Sequence, residues 1–528
     1  MRLAVPVVSL AFVAAVGLPQ IVAQVTLPSF RHAVVEKVAT VGMEAPDTSQ
    51  KLSDFGAMVG DQVLGLDWYY LLENGTLVFW ADAKGNGKHA LFVGPGLFSA
   101  RDGQIKSLTR RQLKTTASYL EGLPEPVGFG DSNSSEPGKV ADIKNSGELL
   151  FITLGFSHGL TGYQASVCAW DGDKMRPVLW RNESPAWLGA GDNIEVAEVV
   201  NVNPDRSALI VYSSKNGQHG IALYSKDAGL RPLIAAGAPL PGMPGQSILK
   251  STFEHLSGNG PVSRKGNPAE REKELRRTKR WRTAAPIVLG DWLFLLVESS
   301  SGHSLLARMG RGRTERILEE DAPDPTEAGT VVEEIRSFRA ITPDVVAVEV
   351  GHGKGDPRLL LSDHGKISQI HKFAVPAPKE SLDRESLHTV QTMSPETGTF
   401  CAFIDDVYVK NQYGAHPYCF DGVKMSNVSG SAPLGIGTDM KAIPGLPDTL
   451  VIHTLLPTRE QRAHCTLQSA AWIASGKEAG HDLQPALEAY SAGDIRYTLA
   501  DVVGIDAGRK TIWLKLCDGF YKVRDAGN

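Results

Sequence analysis

The sequence contains little of what a metal, redox or nucleic-acid-binding protein needs. It has five cysteines, which are Cys168, Cys401, Cys419, Cys465 and Cys517. No two of them form a CxxC pair, and none stands with histidines at zinc-ligand spacing, so we expect no metal site. With a net charge of -5 and 7% aromatic residues, the chain also lacks the basic, aromatic-rich stripe typical of nucleic-acid binding. An odd cysteine count leaves at least one thiol unpaired unless it bonds another chain. Cys401 and Cys419 are predicted on neighbouring strands, either as a disulfide or as two buried thiols.

Catalytic and cofactor signatures are missing as well. There is no H-E-x-x-H helix, no P-loop and no G-x-G-x-x-G between a strand and a helix, so we expect no cofactor. The stretch Gly155-Phe156-Ser157-His158-Gly159 has the letters of a nucleophile elbow. That elbow requires a helix to follow, whereas Leu160 to Trp170 leads into a strand. We therefore interpret Ser157 as a hairpin residue.

The remaining polar clusters have ordinary interpretations. Asp405-Asp406 and Glu319-Glu320-Asp321 would act as glycosidic carboxylates only if they faced a pocket, and we interpret them as solvated surface. The aspartates of Asp82 to Gly87 and of Asp171-Gly172-Asp173 are interpreted as turn residues rather than calcium ligands. The histidines near turns are interpreted as scattered loop residues; they are His158, His219, His352 and His416.

Long apolar runs are absent beyond the N-terminus. Arg2 is the only charge before the apolar run from Leu3 to Val16, and small residues lead to Ile21-Val22-Ala23, as in a secretory signal. We predict a signal peptide over residues 1–23, a mature chain that begins at Gln24 without a transmembrane span, and a secreted or periplasmic location. A retained membrane anchor is the alternative.

The chain is rich in turns that separate short apolar segments. Asn201 to Gly242 contains three such segments: Ser207 to Tyr212, Ile221 to Tyr224, and Leu230 to Ala235. Glycine-containing turns join them, and a Pro-rich tail ends the unit, which predicts a small antiparallel sheet. A sheet of this size cannot bury its own faces, so we expect copies of it to stack on one another.

Looser copies of this unit recur along the chain. In four of them a proline follows the aspartate of the second turn after 12 to 14 residues, at Asp171/Pro185, Asp227/Pro239, Asp363/Pro376 and Asp421/Pro433. The spacing predicts an all-β fold, a β-propeller of about eight blades (alternatively seven) forming one domain over residues 24–528. A β-solenoid or a pair of β-sandwiches is the alternative. His32 to Pro46 resembles the second half of a unit, so we expect this N-terminal strand to pair with the last blade and close the ring.

Three segments exceed the repeat, at residues 107–138, 257–283 and 481–491, and are expected as rim insertions. Ser107 to Gly122 has helical spacing of its leucines, and His481 to Ser491 is a second candidate for a short helix.

The units resemble tandem repeats of bacterial secreted proteins that have an N-x-x-G-x-x-A-F core and a G-D-x-A-P-G tail. The core appears at Lys144 to Phe151 and at Leu72 to Phe79, and the tail appears at Gly237 to Gly242 and at Gly42 to Pro46. The resemblance is degenerate but spans nearly the whole mature chain. It implies an extracellular propeller without an assigned reaction, and it implies no catalytic residue.

The second insertion carries the most distinctive local charge. The segment from Arg264 to Arg282 contains nine basic and three acidic residues, and it also contains Trp281. A solvated helix is one interpretation, and a patch for an acidic polysaccharide, phospholipid headgroups or a protein partner is the other. In the second interpretation we expect Arg276, Arg277, Lys279, Arg280 and Trp281 to bind an anionic polysaccharide or a protein. The sequence thus predicts a monomeric, non-catalytic binding protein for a carbohydrate or a protein, with a propeller-fold glycan hydrolase or lyase as the alternative.

Overall fold

The structure of the protein is a computed structural model. It describes residues 33–46, 50–55, 58–59, 62–63, 69–84, 96–111, 118–120, 122–124, 128–129, 139–157, 163–257, 284–300, 304–352, 355–372, 387–394, 398–409, 412–427, 439–442, 449–454, 470–475, 481–482, 499–506, 511–516 and 519–525.

These residues form seven four-stranded sheets and one five-stranded sheet, all antiparallel and numbered 1 to 8 along the chain. β1 (Ala33–Thr40) belongs to sheet 8. Sheet 1 contains β2 (Lys51–Asp54), β5 (Tyr69–Leu71), β6 (Leu77–Lys84), β7 (Gly96–Arg101) and β8 (Gln104–Ser107), with the small pair β3 (Met58–Val59) and β4 (Gln62–Val63) between β2 and β5. A three-stranded sheet follows, of β9 (Thr109–Arg111), β10 (Ser118–Leu120) and β11 (Gly128–Phe129).

The other sheets follow in order. Sheet 2 contains β12 (Lys139–Asn145), β13 (Leu150–Ser157), β14 (Tyr163–Trp170) and β15 (Met175–Leu179); sheet 3 contains β16 (Ile194–Val202), β17 (Ala208–Ser214), β18 (His219–Ser225) and β19 (Gly229–Ala235). Helix α1 (Lys250–Leu256) precedes sheet 4, which contains β20 (Ile287–Leu289), β21 (Trp292–Glu298), β22 (Ser304–Gly310) and β23 (Arg313–Glu319). Sheet 5 contains β24 (Glu334–Ala340), β25 (Val345–His352), β26 (Gly355–Asp363) and β27 (Lys366–Lys372). Sheet 6 contains β28 (Leu387–Ser394), β29 (Thr399–Val409), β30 (Gln412–Phe420) and β31 (Met425–Asn427). Sheet 7 contains β32 (Asp439–Ala442), β33 (Thr449–Thr454), β34 (Ala470–Ser475) and β35 (His481–Asp482), and sheet 8 contains β36 (Leu499–Asp506), β37 (Thr511–Leu516) and β38 (Gly519–Asp525).

The core lies between successive sheets. The second strand of a sheet is apolar on both faces because a neighbouring sheet covers each face, and all seven residues of β21 are buried. Fourth strands such as β19 are partly exposed. One apolar cluster joins sheets 2 and 3, another joins sheets 3, 4 and 5, and a third joins sheets 5 and 6. Successive four-stranded meanders packed face to face are the arrangement of a β-propeller. The predicted all-β propeller fold is confirmed.

The two ends of the chain meet in sheet 8. β1 pairs with β38 from Ala33 opposite Asp525 to Thr40 opposite Gly519. Phe520 of β38 packs against Phe79 of sheet 1, with ring centroids 5.2 Å apart. The predicted pairing of the N-terminal strand with the last blade is confirmed for residues 33–40, and closure of the whole ring stays a prediction.

The turn after the first strand of sheet 2 links sheets 1 and 2. In the predicted core motif, Asn145 Oδ1 accepts a hydrogen bond from the backbone N–H of Gly147 at 2.7 Å. Gly147 has a φ of 87°, which a residue with a Cβ rarely adopts. The Asn145 amide nitrogen then donates to the carbonyl of Leu71 in sheet 1 at 3.2 Å. The Asn-x-Gly sequence therefore shapes the turn and also bonds one sheet to the next.

The Pro-containing tail forms the same small hairpin at four connections. Its first residue has a positive φ, at Gly42, Asn182, Gly237 and Asp321. The backbone N–H of each donates to a carbonyl ten to twelve residues later, at Leu52, Ile194, Ile248 and Val332. A left-handed residue at that position turns the fourth strand of one sheet back toward the first strand of the next.

Both predicted helices are wrong where the structure describes them. Within Ser107 to Gly122, residues 109–111 and 118–120 are strands β9 and β10, which pair with each other. His481 and Asp482 form β35, an edge strand of sheet 7. Pairing with a neighbouring strand outweighs the weak helical spacing of three leucines. No helix in the described part of the chain is long and apolar enough to cross a membrane.

Candidate functional site

The first strands of sheets 2 and 3 line a cavity of about 290 Å³, which we call the first-strand cavity. Helix α1 and the segment before β20 complete its wall. The lining residues are Ala141, Asp142, Lys144, Thr153, Glu198, Val199, Val200, Leu256 and Ala285.

One side of the first-strand cavity carries an ion pair. Asp142 and Lys144 are two residues apart on β12, so their side chains lie on the same face of the strand. Lys144 Nζ is 3.1 Å from Asp142 Oδ2, and both side chains are about half-exposed. Ile143 between them is buried. The alternation of polar and apolar residues therefore directs two opposite charges into the cavity.

The neighbouring strand β16 adds a second carboxylate by the same alternation. Ala197 and Val199 are buried, and Glu198 between them is half-buried. The hydroxyl of Thr153 accepts a hydrogen bond from the backbone N–H of Val199 at 3.2 Å, which fixes β16 against sheet 2. The rest of the lining includes apolar side chains, among them Val200, Leu256 and Ala285.

The predicted binding residues of the basic insertion, from Arg276 to Trp281, lie outside the described residues, as does the whole of 258–283. The structure does place both ends of this insertion, since Leu256 and Ala285 line the first-strand cavity. α1 is held there by Leu249, whose N–H donates to the carbonyl of Glu298 at 2.9 Å. The Thr252 hydroxyl accepts from the N–H of Glu298 at 3.0 Å.

The other sequence candidates have structural roles where the structure describes them. Ser157 ends β13 and is paired with Tyr163 of β14, the next described element, which is consistent with the predicted hairpin. Glu320 accepts a hydrogen bond from the N–H of Ile335 at 2.8 Å. Asp171 caps its own turn by accepting from the N–H groups of Asp173 and Lys174. The side chains of Asp405 and Asp406 lie outside the described residues.

The candidate histidines whose side chains the structure describes are His219 and His416, and neither belongs to a group of three or more metal-ligating side chains. His219 begins β18 and is half-buried, and burial together with the positive charge of Lys250 lowers its pKa. His416 lies within β30, and His158 lies outside the described residues. No group of three or more histidine, cysteine or acidic side chains suited to a metal ion occurs in the described ranges.

Two of the three described cysteines form a disulfide. Cys401 of β29 and Cys419 of β30 are directly paired in the sheet and are bonded to each other. Of the two alternatives for this pair, the structure has the disulfide. Cys168 is a buried free cysteine, and burial raises the pKa of its thiol far above the ordinary value.

Sequence reasoning missed the residues of the first-strand cavity. The predicted units began at the second strand of each sheet, so the first strands β12 and β16 were not recognised. The alternation in Ile194–Val202 was the available signal. It predicts a strand with Glu198 on one face, but it does not show that this face lines a cavity with Asp142.

No family model and no curated protein matches the chain. Solved structures similar to it include the β-propeller domain of the Trilobed protease from Pyrococcus furiosus, at 9% identity over 74% of this chain and 96% of that chain, with a TM-score of 0.36. The WD40 domain of SCAP from fission yeast is 8% identical over 91% and 99%, with a TM-score of 0.35. The BP39L lectin from Burkholderia pseudomallei is 10% identical over 86% and 98%, with a TM-score of 0.31. At these scores the likenesses carry no argument about function.

Proposed function

We propose that the protein is an exported, non-catalytic β-propeller that binds a carbohydrate in the first-strand cavity. The observation that carries the proposal is the lining of that cavity. Asp142, Glu198 and Lys144 bring charged hydrogen-bonding groups into a cavity that also has apolar lining residues. A sugar has both hydroxyl edges and apolar C–H faces, and a pocket with a few placed polar groups and an apolar side suits it. The volume of about 290 Å³ suits a short carbohydrate segment.

Replacing Glu198 by Gln, or Asp142 by Asn, is expected to weaken binding of a neutral oligosaccharide by about tenfold or more. The reason is that a hydrogen bond to a charged group contributes about 1.5 to 3 kcal/mol, and 1.4 kcal/mol corresponds to a factor of ten. A glycan-array screen identifies the oligosaccharide, and titration calorimetry then measures the affinities of the parent and the variants. The matched control is Glu195→Gln, which changes the same residue type on the same strand outside the cavity lining. Equal affinities of the parent and the cavity variants would contradict the proposal.

A glycan hydrolase or lyase is the second candidate, because two carboxylates, Asp142 and Glu198, line the same cavity. Glycosidases use such a pair as acid and base or nucleophile. The same variants separate the two functions. Release of reducing ends by the parent and its loss in Glu198→Gln would show catalysis, whereas binding without any product supports the non-catalytic function.

An anionic polysaccharide or a protein, bound through the basic insertion, is a further expected ligand. Replacing Arg276, Arg277, Lys279 and Arg280 by Ser is expected to reduce retention on an acidic polysaccharide at low salt. It should leave neutral-oligosaccharide binding in the first-strand cavity unchanged. Exposed charges act over about 8 to 10 Å at ordinary salt, so this retention should fall steeply as salt rises.

Export is supported by the bond between Cys401 and Cys419, because disulfides persist in oxidising compartments. Material recovered from outside the cytoplasm is expected to begin at Gln24, which N-terminal sequencing measures. Recovered protein that still contains Arg2 to Val16 would contradict the predicted cleavage.

A further inference from the structure

A buried hydroxyl group lines the first-strand cavity. Thr153 of β13 belongs to the cavity lining, although only 2% of its surface is exposed. Its Oγ1 accepts a hydrogen bond from the backbone N–H of Val199 at 3.2 Å. β16 is an edge strand of sheet 3, and an N–H on the outer side of an edge strand has no partner within its own sheet. The bond from Val199 therefore fixes the position of the Thr153 oxygen and uses one of its two lone pairs.

The proton of the Thr153 hydroxyl is not used by this bond. A threonine hydroxyl is a donor as well as an acceptor, and Thr153 donates to no group within the part of the chain that the structure describes. A buried donor without an acceptor costs free energy, so water or a ligand in the cavity has to accept this proton. A ligand that displaces such a water loses affinity unless it reproduces the hydrogen bond.

An acceptor lies directly across the sheet from Thr153. Asp142 of β12 is its partner in the register, and the Cβ atoms of directly opposite residues lie about 4.5 to 5.5 Å apart on the same face. The Asp142 carboxylate accepts from the N–H of Ile143 at 2.8 Å and pairs with Lys144. A carboxylate has about four lone-pair sites and no donor. Asp142 can therefore accept a further hydrogen bond from a ligand, beside the donor of Thr153.

Two β-bulges lie at the same part of the cavity. The pairing of β12 with β13 skips Ala141, and the pairing of β16 with β17 skips Val200. Both skipped residues line the cavity. A bulge bends its strand and re-aims side chains, and bulges are frequent next to functional sites. Both first strands thus depart from regular pairing where Thr153 and Asp142 meet the cavity.

The geometry points to a subsite of the first-strand cavity, formed by Thr153 and Asp142, that selects a ligand hydroxyl group. A hydroxyl is both donor and acceptor, so one group can accept from Thr153 and donate to Asp142. An ammonium group cannot accept the proton of Thr153, and a carboxylate cannot donate to Asp142. The inference rests on the proposed function, and it narrows the ligand to an uncharged polyol or saccharide with a hydroxyl between these two side chains.

Three cyclohexane derivatives that differ in their polar groups test this selection: trans-cyclohexane-1,2-diol, trans-1,2-diaminocyclohexane and trans-cyclohexane-1,2-dicarboxylate. NMR titration of the full chain labelled with ¹⁵N-valine measures their binding, because the Val199 amide donates directly to Thr153. We expect the diol to shift the Val199 signal and to bind at least about tenfold more tightly than either charged probe, which would leave one polar group unsatisfied. No binding of the diol, or equal or tighter binding of a charged probe, would overturn the inference.

Variants of Thr153 separate its donor from its size and packing. Thr153→Ser keeps the hydroxyl and is expected to bind the diol within about twofold of the parent, whereas Thr153→Val is expected to weaken diol binding about fivefold to tenfold. Ser166→Ala is the matched control, since Ser166 is a buried hydroxyl of sheet 2 that accepts from the N–H of Arg181 at 3.0 Å and lies outside the cavity lining. Equal diol binding by Thr153→Val and the parent would contradict the role of Thr153. The probe comparison on the parent needs no variant, so it decides the question even if Thr153→Val does not fold.

The outcomes separate this subsite from carbohydrate binding as a whole. A glycan that binds to Thr153→Val as tightly as to the parent would support carbohydrate binding and refute the subsite. Binding of the diol through Thr153, without any glycan ligand on an array, would support the subsite and refute carbohydrate binding.

Discussion

Replacing Arg358 by Met is expected to lower the free energy of unfolding by about 3 to 5 kcal/mol. Arg358 lies on β26 of sheet 5, and Asp324 lies in the connection between β23 and β24. They form an ion pair whose side chains are 4% and 0% exposed. Arg358 also reaches Thr326 at 3.2 Å and Glu327 at 3.1 Å. Its removal leaves the Asp324 carboxylate buried without its counter-ion, and denaturant unfolding measures the loss.

Two controls separate the buried charge from the lost side chain. The double variant Arg358→Met with Asp324→Asn removes both charges and is expected to recover much of the stability. Arg176→Met breaks a pair with Asp171 whose side chains are 53% and 27% exposed, and it should cost no more than about 1 kcal/mol. A loss in Arg358→Met no larger than in Arg176→Met would show that the buried pair does not stabilise the fold.

The pair of Arg358 and Asp324 also predicts that the stability of the fold depends on pH. Burial by itself disfavours the charged form of Asp324, but hydrogen bonds from Thr326 and the Arg358 guanidinium outweigh it and hold the pKa of Asp324 below its ordinary value. A lowered pKa in the folded protein stabilises it above the unfolded pKa of about 3.9, and this contribution disappears as the pH falls through the folded pKa. The Asp324→Asn variant should lack this acid-dependent loss of stability.

Replacing Gly519 by Ala is expected to detach β1 from sheet 8. Gly519 has a φ of 142° and pairs with Thr40. A Cβ at this position would lie 2.1 Å from the carbonyl oxygen of Ala39 and 2.7 Å from the Cα of Thr40. Both contacts are with backbone atoms of β1, so β1 cannot keep its pairing with β38 at this position. We expect rapid amide hydrogen exchange over residues 33–40 and a lowered unfolding midpoint, approaching that of a chain without residues 24–46.

The control for Gly519 is Gly422→Ala. Gly422 also has a positive φ, of 97°, but nothing lies within 4 Å of its hypothetical Cβ. It therefore reports the backbone strain alone, roughly 1 to 3 kcal/mol. Unchanged protection of residues 33–40 in Gly519→Ala would mean that β1 does not depend on close approach to β38. An unchanged midpoint of the truncated chain would contradict closure of the ring by this strand.

What the sequence determined by itself is local. A turn such as Asn145 to Gly147 needs a capping side chain and a positive φ, and both requirements are visible in consecutive residues. The second strands were predicted because burial on both faces makes them continuously apolar. Recurrence of these local features at regular intervals was sufficient to predict stacked small sheets and a propeller.

What only the tertiary structure decided depends on residues far apart in the chain. Glu73 and Arg206 meet across 133 positions, and Arg358 and Asp324 meet across 34 positions. Asp142 and Glu198 lie in one cavity because β12 and β16 are the first strands of adjacent sheets. Alternation in a strand shows which side chains share a face, but not what that face meets. The packing of one sheet on another decides what that face meets, and it therefore determines the first-strand cavity and the buried ion pair.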